Sequence, residues 1–586
     1  MSATAAVEVL PLAIIAPITG AVLAPLASRL SRHLGLALAV IFAAASIAFL
    51  ALNAPSAYRG EIATAYLGGW SPIGGHSLGI AITADAFGIT AAMLAAIVGT
   101  LALIATLSGM DELGRRELGG YACLSLLLIA SVIGGALTTD LLDLFVWFEV
   151  AALASYALTG FFLSRPPAIE AAFKIVVLTS VAGFLVFIAM ALLYQAHGAV
   201  NLAQLSRALT DHAGALDAIA LALLVAGFAT KAGLVPFCGW LPDAHTAAPG
   251  PISALFSGVL VNFGVVAIAR VATTFNPTRL PLAGVLMVIG VSSALIGACF
   301  AAAQDDVKRL LAYDTISQIG IIVVGLAAAT DTGAAGLVFH LASHALFKAM
   351  LFLVAGAIVH TTGATTLDQL AGLRYRNPWL AGLFILGAAA IAGVPPINGY
   401  VSLSLIHSAL LDQRQYLSYA LVLTAQAVTV AALGRVVVAM FRQRRDEYLR
   451  DEHIRPGMAV ALGVLAAACL TTGAFGRAIL GRIVAPSVPD LTQSQAWAEA
   501  VLAGHGSLTT PVIAFDYLNP VELGTTAGCL GLGLLLLWRY GARTATIRNR
   551  LSLVATGSVN DYTAYLAAGT VIVCLALATG SAAAPP

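Results

Sequence analysis

The sequence predicts an all-α protein that crosses a membrane many times. Hydrophobic residues make up 60% of the 586 residues, charged residues make up only 10%, and the mean hydropathy is +0.94. No water-soluble core needs this much apolar surface, and a helix needs about 20 apolar residues to cross a bilayer. The apolar runs are long and continuous, whereas a membrane β-barrel would have short alternating segments. The fold class is therefore a polytopic bundle of membrane-spanning helices.

Apolar runs of suitable length occur about 16 times along the chain. The predicted spans are 8–28, 34–54, 80–107, 119–138, 140–164, 170–195, 214–237, 249–274, 280–302, 315–329, 335–361, 378–411, 415–441, 457–479, 521–540 and 561–580. The run 378–411 is too long for one straight span, and Pro395-Pro396 interrupts it, which predicts a discontinuous helix.

Lysines and arginines concentrate in alternate loops between these spans, among them 442–455 and 539–550. Loops rich in basic residues stay on the cytoplasmic side of a membrane. The sequence therefore predicts a multi-pass protein of the cell (inner) membrane with both termini on the extracytoplasmic side.

Composition excludes several function classes. The net charge of +1 gives no basis for a nucleic-acid partner. The six cysteines are scattered without a C-x-x-C spacing, so no disulfide, zinc or iron–sulfur site is predicted. We found no nucleotide, flavin or haem motif. We therefore expect no cofactor and no metal, and any redox chemistry would belong to partner subunits.

One pattern, A-G-x-x-P-x-x-G-aromatic, occurs at 232–240 and again at 392–400. The copies fall on predicted spans five helices apart, so they cross the membrane in opposite directions. Inverted repeats with a broken helix in each half are typical of secondary transporters. The sequence therefore divides into N-terminal helices, a first inverted repeat, a second inverted repeat, and C-terminal helices with an extracytoplasmic segment. The corresponding ranges are 1–118, 119–274, 280–441 and 442–586.

Ionisable side chains inside apolar runs carry the functional prediction. Lys231 directly precedes the first break, and Glu149 lies within another span. A charged side chain in lipid costs about 2.5–3.5 kcal/mol on insertion scales. Such a residue in a membrane span therefore indicates a functional role for its charge. A carboxylate that approached or left the desolvated lysine would make it take up or release a proton. The alternative is a static ion pair that fixes helix packing.

Further candidates surround this pair. His340, His344 and Lys348 are four residues apart and share one helix face, and histidine titrates near neutrality, which suits a proton relay. Two histidines at this spacing without an acidic third ligand do not predict a metal site. Lys174 is a relay candidate, although it lies nearer a helix end and has the alternative of extending to the membrane surface. His245 follows the first break and is expected at a channel mouth or in a plain loop.

These motifs resemble the antiporter-like subunits of respiratory complex I and of Mrp-type cation/proton antiporters, with the Mrp D subunit as the nearest. The resemblance covers roughly 80–440 and rests on the segments 145–149, 231–245, 251–255, 307–313, 317–320 and 340–348. It implies a core of about 14 helices with two inverted five-helix repeats, followed here by about two further helices. It also implies that a central hydrophilic axis conducts protons and includes Glu149, Lys174, Lys231 and Lys348.

The chain departs from the family pattern at several positions. After the first break, where the family usually has lysine or histidine, stand Ser257 and Asn262. After the second break, Leu403 stands about where lysine or glutamate is usual, and Asp314 replaces a usual serine. We expect Asn262 and His407, one turn beyond Leu403, to continue the path through water chains.

The expected function is proton translocation, with sodium/proton antiport as one form. The chain would be a subunit of a multi-subunit Mrp-type antiporter or of a complex I-like or hydrogenase-like ion translocase. Its partners would be other membrane subunits, protons, sodium as a candidate cation, and the lipid bilayer. The alternatives are a non-conducting scaffold subunit and the membrane subunit of an energy-coupled inorganic-carbon uptake complex.

Overall fold

The structure of the protein is a computed structural model, which describes residues 6–107, 113–162, 164–209, 213–278, 280–443, 453–540 and 556–582. Residues 444–452 and 541–555 lie outside the described residues. These two ranges contain most of the arginines of the loops 442–455 and 539–550, from which the orientation of the chain is predicted.

Helices dominate the described residues. In chain order they are α1 Leu12–Leu30, α2 Arg32–Ala57, α3 Ala86–Thr106, α4 Arg115–Leu137, α5 Leu141–Thr159, α6 Pro166–His197, α7 Leu202–Ala208, α8 Ala215–Ala232, α9 Leu241–Ala247, α10 Gly250–Phe275, α11 Leu282–Ala303, α12 Val307–Ala327, α13 Asp331–Thr362, α14 Leu373–Arg376, α15 Pro378–Ile391, α16 Asn398–Asp412, α17 Tyr416–Phe441, α18 Pro456–Ala474, α19 Gly476–Ile479, α20 Ala485–Ser487, α21 Pro489–Thr492, α22 Ser494–Ala503, α23 Pro520–Tyr540 and α24 Val559–Ala582.

The predicted polytopic helical fold is confirmed. Within the described ranges, 15 helices are long and apolar enough to cross a membrane. The predicted span 378–411 is two shorter helices, α15 and α16, so the predicted interruption is confirmed. The predicted span 315–329 begins earlier, because Asp306 caps α12 by accepting a hydrogen bond from the Arg309 amide at 2.9 Å. Lys308 and Arg309 therefore lie in the first turn of α12 and not in the preceding loop.

The two copies of the repeated pattern end their helices in the same way. Gly233 after α8 has φ 71° and Gly393 after α15 has φ 72°, a left-handed conformation that glycine adopts without strain. In both copies the amide of the next residue donates a 3.0 Å hydrogen bond to the carbonyl five positions back. The division into two inverted repeats remains a prediction, and this shared geometry supports it.

A small antiparallel sheet lies at one end of the bundle, which we call the sheet end. Its strands are β1 Glu61–Tyr66, β2 Ala81–Ala84 and β3 His505–Ser507, in the order β2-β1-β3. Glu61 pairs with Ser507, and Ala63 pairs with Ala84. The sequence analysis missed this sheet, because the strands are too short to show an alternating pattern and β3 comes from a distant part of the chain.

Buried polar groups join the segment before α23 to the sheet end of the bundle. Asp85 caps α3 and accepts hydrogen bonds from the Arg270 guanidinium at 2.6 and 2.8 Å, and from the Trp497 indole at 2.9 Å. Asp490 accepts a 2.9 Å hydrogen bond from the Phe87 amide. Burial and the nearby Asp85 carboxylate raise the pKa of Asp490 well above its ordinary value.

The two C-terminal helices pack on different parts of the bundle. The helix α23 lies along α17, whereas α24 lies along α8 and crosses the first break. At this crossing a Cβ on Gly239 would be 2.4 Å from the Tyr562 ring, and a Cβ on Gly569 would be 2.4 Å from the Pro236 ring. Glycines on both sides therefore allow the close approach of α24 to the broken helix.

We expect Gly239→Ala to destabilise this packing by about 1–3 kcal/mol, because the methyl group collides with the Tyr562 ring close to its own backbone. A lower melting temperature of the purified protein measures the effect. Gly528→Ala in α23 is the matched control, since its added Cβ meets nothing within 4 Å. Equal melting temperatures for the two variants would contradict the docking of α24 at the break.

Candidate functional site

The first break positions Lys231 in the last turn of α8. This side chain is fully buried, and its ammonium donates a hydrogen bond to the Phe148 backbone carbonyl at 3.3 Å. The nitrogen also lies 4.0 Å from the centre of the Phe148 ring. A carbonyl dipole and an aromatic face both attract a cation, and together they partly replace the water that burial removes.

Glu149 follows Phe148 on α5 and attracts Lys231 electrostatically, but the two groups do not form a direct ion pair. Its carboxylate lies against α6, where a Cβ on Gly183 would be 2.0 Å from Oε1. The absence of a side chain at Gly183 therefore makes room for the carboxylate. Glu149 is half-buried. The static ion pair considered as an alternative is not formed in this arrangement.

Lys174 forms ion pairs with two carboxylates. Its nitrogen lies 2.7 Å from Asp243 on the short helix α9 and 2.7 Å from Glu170 on its own helix, and Lys174 is 4% exposed. Arg309 also approaches Asp243, at 3.4 Å. Asp243 therefore links α6, α9 and α12. The sequence analysis quoted Asp243 in a motif without assigning it a partner.

The predicted stripe on α13 faces the interior, and both of its histidines are fully buried. His340 Nδ1 lies 2.8 Å from the Ser402 hydroxyl on α16, and its Nε2 lies 3.2 Å from the Gln318 side-chain oxygen on α12. His344 Nδ1 lies 3.2 Å from the Asn262 side-chain oxygen on α10. The stripe therefore contacts three other helices, including both segments that follow the breaks.

Lys348 continues the stripe and pairs with Asp314. Its buried ammonium donates a hydrogen bond to the Asp314 carboxylate on α12 and another to the Leu311 carbonyl at 3.0 Å. Both side chains of the pair have 0% exposure. Asp314 is the acidic residue that stands where the family usually has serine. The lysine that neutralises Asp314 comes from α13.

A π-helical turn, Phe256–Leu260, interrupts α10 where the sequence departs from the family pattern. Such turns occur often at functional sites. Within this turn the Ser257 hydroxyl lies 2.9 Å from that of Thr315 on α12. Asn262 follows the turn, and Gly264 beyond it packs on the end of α8, where a Cβ would be 2.4 Å from the Ala232 nitrogen. Asn262 therefore lies between the Lys231 end of α8 and the stripe on α13.

His245 is enclosed rather than exposed at a channel mouth. Its exposure is 0%, and its ring stacks on Phe352 of α13 with 4.3 Å between centroids. Neither ring nitrogen has a hydrogen-bond partner among the described residues. The residue after it, Thr246, lines a cavity of about 650 Å³, together with Lys308 and His360. This cavity lies at the end of the bundle opposite the sheet.

His407 lies on α16 beyond the second break. Its Nδ1 is 3.3 Å from a carboxylate oxygen of Glu522, on the C-terminal helix α23. Both side chains are 4% exposed. Glu522 is absent from the residues predicted from the sequence, because nothing in the sequence indicates that the first turn of α23 packs against α16.

The structure thus places the predicted residues in several separate groups of contacts, and Asn262 lies between the first break and the α13 stripe. Several buried atoms along them have no hydrogen-bond partner in the described part of the chain, namely Asp314 Oδ1, His344 Nε2, Gln318 Nε2 and His407 Nε2. An unsatisfied buried polar atom costs about 1–3 kcal/mol unless water reaches it.

Comparisons with known proteins agree with this architecture. Residues 138–429 match the family described as NADH:quinone oxidoreductase/Mrp antiporter, TM. The chain is 35% identical over 395 residues to the D-type Na(+)/H(+) antiporter protein of Alkalihalophilus pseudofirmus, covering 66% of this chain and 77% of that protein. It is 29% identical over 497 residues to the N-type NADH-quinone oxidoreductase protein of Desulforudis audaxviator, covering 82% of this chain and 98% of that protein.

Solved structures show the same similarity. A chain of the Mrp complex from Dietzia sp. DQ12-45-1b matches with a TM-score of 0.77 and 25% identity, covering 85% of this chain and 100% of that chain. A chain of the membrane-bound sulfane sulfur reductase, an archaeal respiratory membrane complex, matches with a TM-score of 0.77 and 27% identity, covering 85% of this chain and 99% of that chain.

Proposed function

The chain belongs to the NADH:quinone oxidoreductase/Mrp antiporter membrane family, and on this premise we propose that it translocates protons as one subunit of a multi-subunit membrane complex. The proposed relay runs through Lys174, Glu149, Lys231, Asn262, His344, Lys348, His340 and His407, with His245 beside Lys348. The observation that carries the proposal is the series of buried ionisable groups on α6, α8, α13 and α16. Ionisable groups are rare in membrane helices, and those that occur typically lie on ion pathways or in proton relays.

The relay would work by electrostatic coupling between neighbouring charges. When the Glu149 carboxylate moves relative to Lys231, the attraction that holds the lysine proton changes, and the proton is released or taken up. Lys348 would respond in the same way to Asp314. A proton arriving at His344 would lie near the Lys348 ammonium, which repels it toward the next group. No step requires a bound cofactor.

We also propose that the sheet end faces the extracytoplasmic side. The opposite end carries Arg165, Lys308, Arg309 and Arg374 at helix termini, as the positive-inside rule requires of a cytoplasmic face. In this orientation the cavity beside His245 opens toward the cytoplasm and supplies protons to the relay. Sodium is the candidate counter-ion, because one relative is named as part of a Na(+)/H(+) antiporter.

The test is Glu149→Gln, which keeps the shape of the side chain and removes its charge. We expect proton movement to fall about tenfold or more, because Lys231 loses the charge that modulates its proton affinity. A pH-sensitive dye in membrane vesicles that contain the complete complex measures the rate, with and without added sodium. Glu499→Gln is the matched control, since Glu499 is exposed on α22. Equal rates for both variants would favour a non-conducting scaffold.

A further inference from the structure

We propose that Glu522 is the outer proton-releasing group of the relay, so that the C-terminal helix α23 is part of the ion path. The inference rests on the proposed function. It assigns a chemical role to a helix that would otherwise be a membrane anchor or a docking element.

The second half of the relay lacks an ionisable group of its own at the centre of α16. Leu403 is apolar and 4% exposed, so it can neither hold nor pass a proton. His407, one turn further, is the next titratable group on this helix. A proton that reached His407 would still be enclosed, because this side chain is only 4% exposed. A group in contact with His407 is therefore needed to take the proton onward.

Glu522 has the position that such a group requires. It lies in the first turn of α23, close to the sheet end, and the residue is 3% exposed. One carboxylate oxygen is 3.3 Å from His407 Nδ1, and the other is 3.5 Å from the Ser408 hydroxyl. Among the described residues, His407 is its only ion-pair partner. A carboxylate oxygen in contact with an imidazole nitrogen can receive the proton of that nitrogen.

The helix α16 connects this pair to the stripe on α13. Ser402 on α16 contacts His340, and His407, five residues later, contacts Glu522. Each residue turns an α-helix by about 100°, so Ser402 and His407 lie on different sides of α16. The side of α16 that faces α13 therefore contacts His340 of the relay, and the side that faces α23 contacts the Glu522 carboxylate. His407 Nε2 has no partner among the described residues, which leaves it free to accept a proton from the relay through water.

The proton balance of the step is simple. A proton that arrives on Nε2 makes His407 an imidazolium, and the imidazolium then gives the proton on Nδ1 to Glu522. The products are a neutral imidazole and a neutral carboxylic acid. The acid then releases the proton toward the sheet end and returns to the carboxylate. The imidazole regains its Nδ1–H form by a ring flip before it accepts the next proton. Close to the pair, the Tyr419 hydroxyl of α17 lies 3.0 Å from the Thr525 hydroxyl of α23.

The experiment compares Glu522→Gln with wild type in vesicles that contain the complete complex, with a pH-sensitive dye as the probe. Each rate is divided by the amount of assembled complex, so that poor assembly does not count as lost transport. We expect Glu522→Gln to lower the rate about tenfold. Thr525→Val is the matched control: it removes the 3.0 Å contact between Tyr419 and Thr525 that joins α17 to α23, and leaves the acid in place. We expect it to transport as wild type.

A second pair of variants separates proton transfer from helix packing. His407→Gln is expected to lower the rate as much as Glu522→Gln, and the double variant no further, because both residues serve one step. Independent losses that multiply in the double variant would overturn the proposal. If the Glu522→Gln complex does not assemble, the rate of His407→Gln is the test. A wild-type rate for His407→Gln then overturns the proposal. If Glu149→Gln is inactive but Glu522→Gln transports normally, only this inference fails. If both transport normally, the proposed function fails.

Discussion

Replacement of Asp314 by asparagine is expected to destabilise the protein by about 3–5 kcal/mol and to stop proton movement. The substitution leaves the Lys348 ammonium buried without a counter-charge, at a position with 0% exposure. Breaking one partner of a buried ion pair is costly, because the remaining charge has lost both water and its partner. The melting temperature of the purified protein measures the first effect, and the dye assay in vesicles measures the second.

The double variant Asp314→Asn/Lys348→Met separates the two effects. With both charges removed, the desolvation cost disappears, and stability is expected to return to near that of wild type. Transport is expected to remain absent, because the titratable pair is gone. A double variant that melted normally and transported normally would show that the pair contributes only to packing, and Lys348 would have to be removed from the proposed relay.

Lys231→Arg is expected to abolish proton movement although it keeps the positive charge. Lysine can lose its proton when it is desolvated, whereas the arginine guanidinium stays protonated in proteins. Lys231 is fully buried against Phe148, so its ammonium has the environment that allows this loss. A residue that only supplied a fixed charge would tolerate the change. The dye assay in vesicles therefore distinguishes a titrating Lys231 from a static one.

Lys308→Arg provides the control for the larger size of arginine. Lys308 also donates to a backbone carbonyl, that of Ala248 at 2.8 Å, but it lies at the first turn of α12 beside the cavity and outside the relay. We expect this variant to assemble and to transport protons. Transport by an assembled Lys231→Arg variant would exclude a protonation cycle at Lys231 and would leave it a purely electrostatic role.

The sequence by itself determined the membrane fold and the identity of most candidate residues. Hydropathy fixes the spans, since only a continuous apolar run can cross a bilayer. Proline and glycine fix the two breaks, because their backbone requirements are local. A charged or titratable residue is easy to recognise in an apolar run, because such residues are costly in a membrane and therefore rare there. Lys231 and the row on α13 are examples. None of these conclusions depends on which helices are neighbours.

The tertiary structure alone decided which of these residues are in contact. Asp314 pairs with Lys348 rather than with Lys308, Lys174 meets Asp243, and His407 meets Glu522. The first contact joins two consecutive helices, whereas the other two join residues that are 69 and 115 positions apart in the chain. Hydropathy records that a side chain leaves water, but it does not record the rotation of a helix about its axis or the neighbour that the helix faces. In a bundle that is apolar on nearly every side, these are set by packing, and packing brings the final carboxylate of the proposed path from the C-terminal helix.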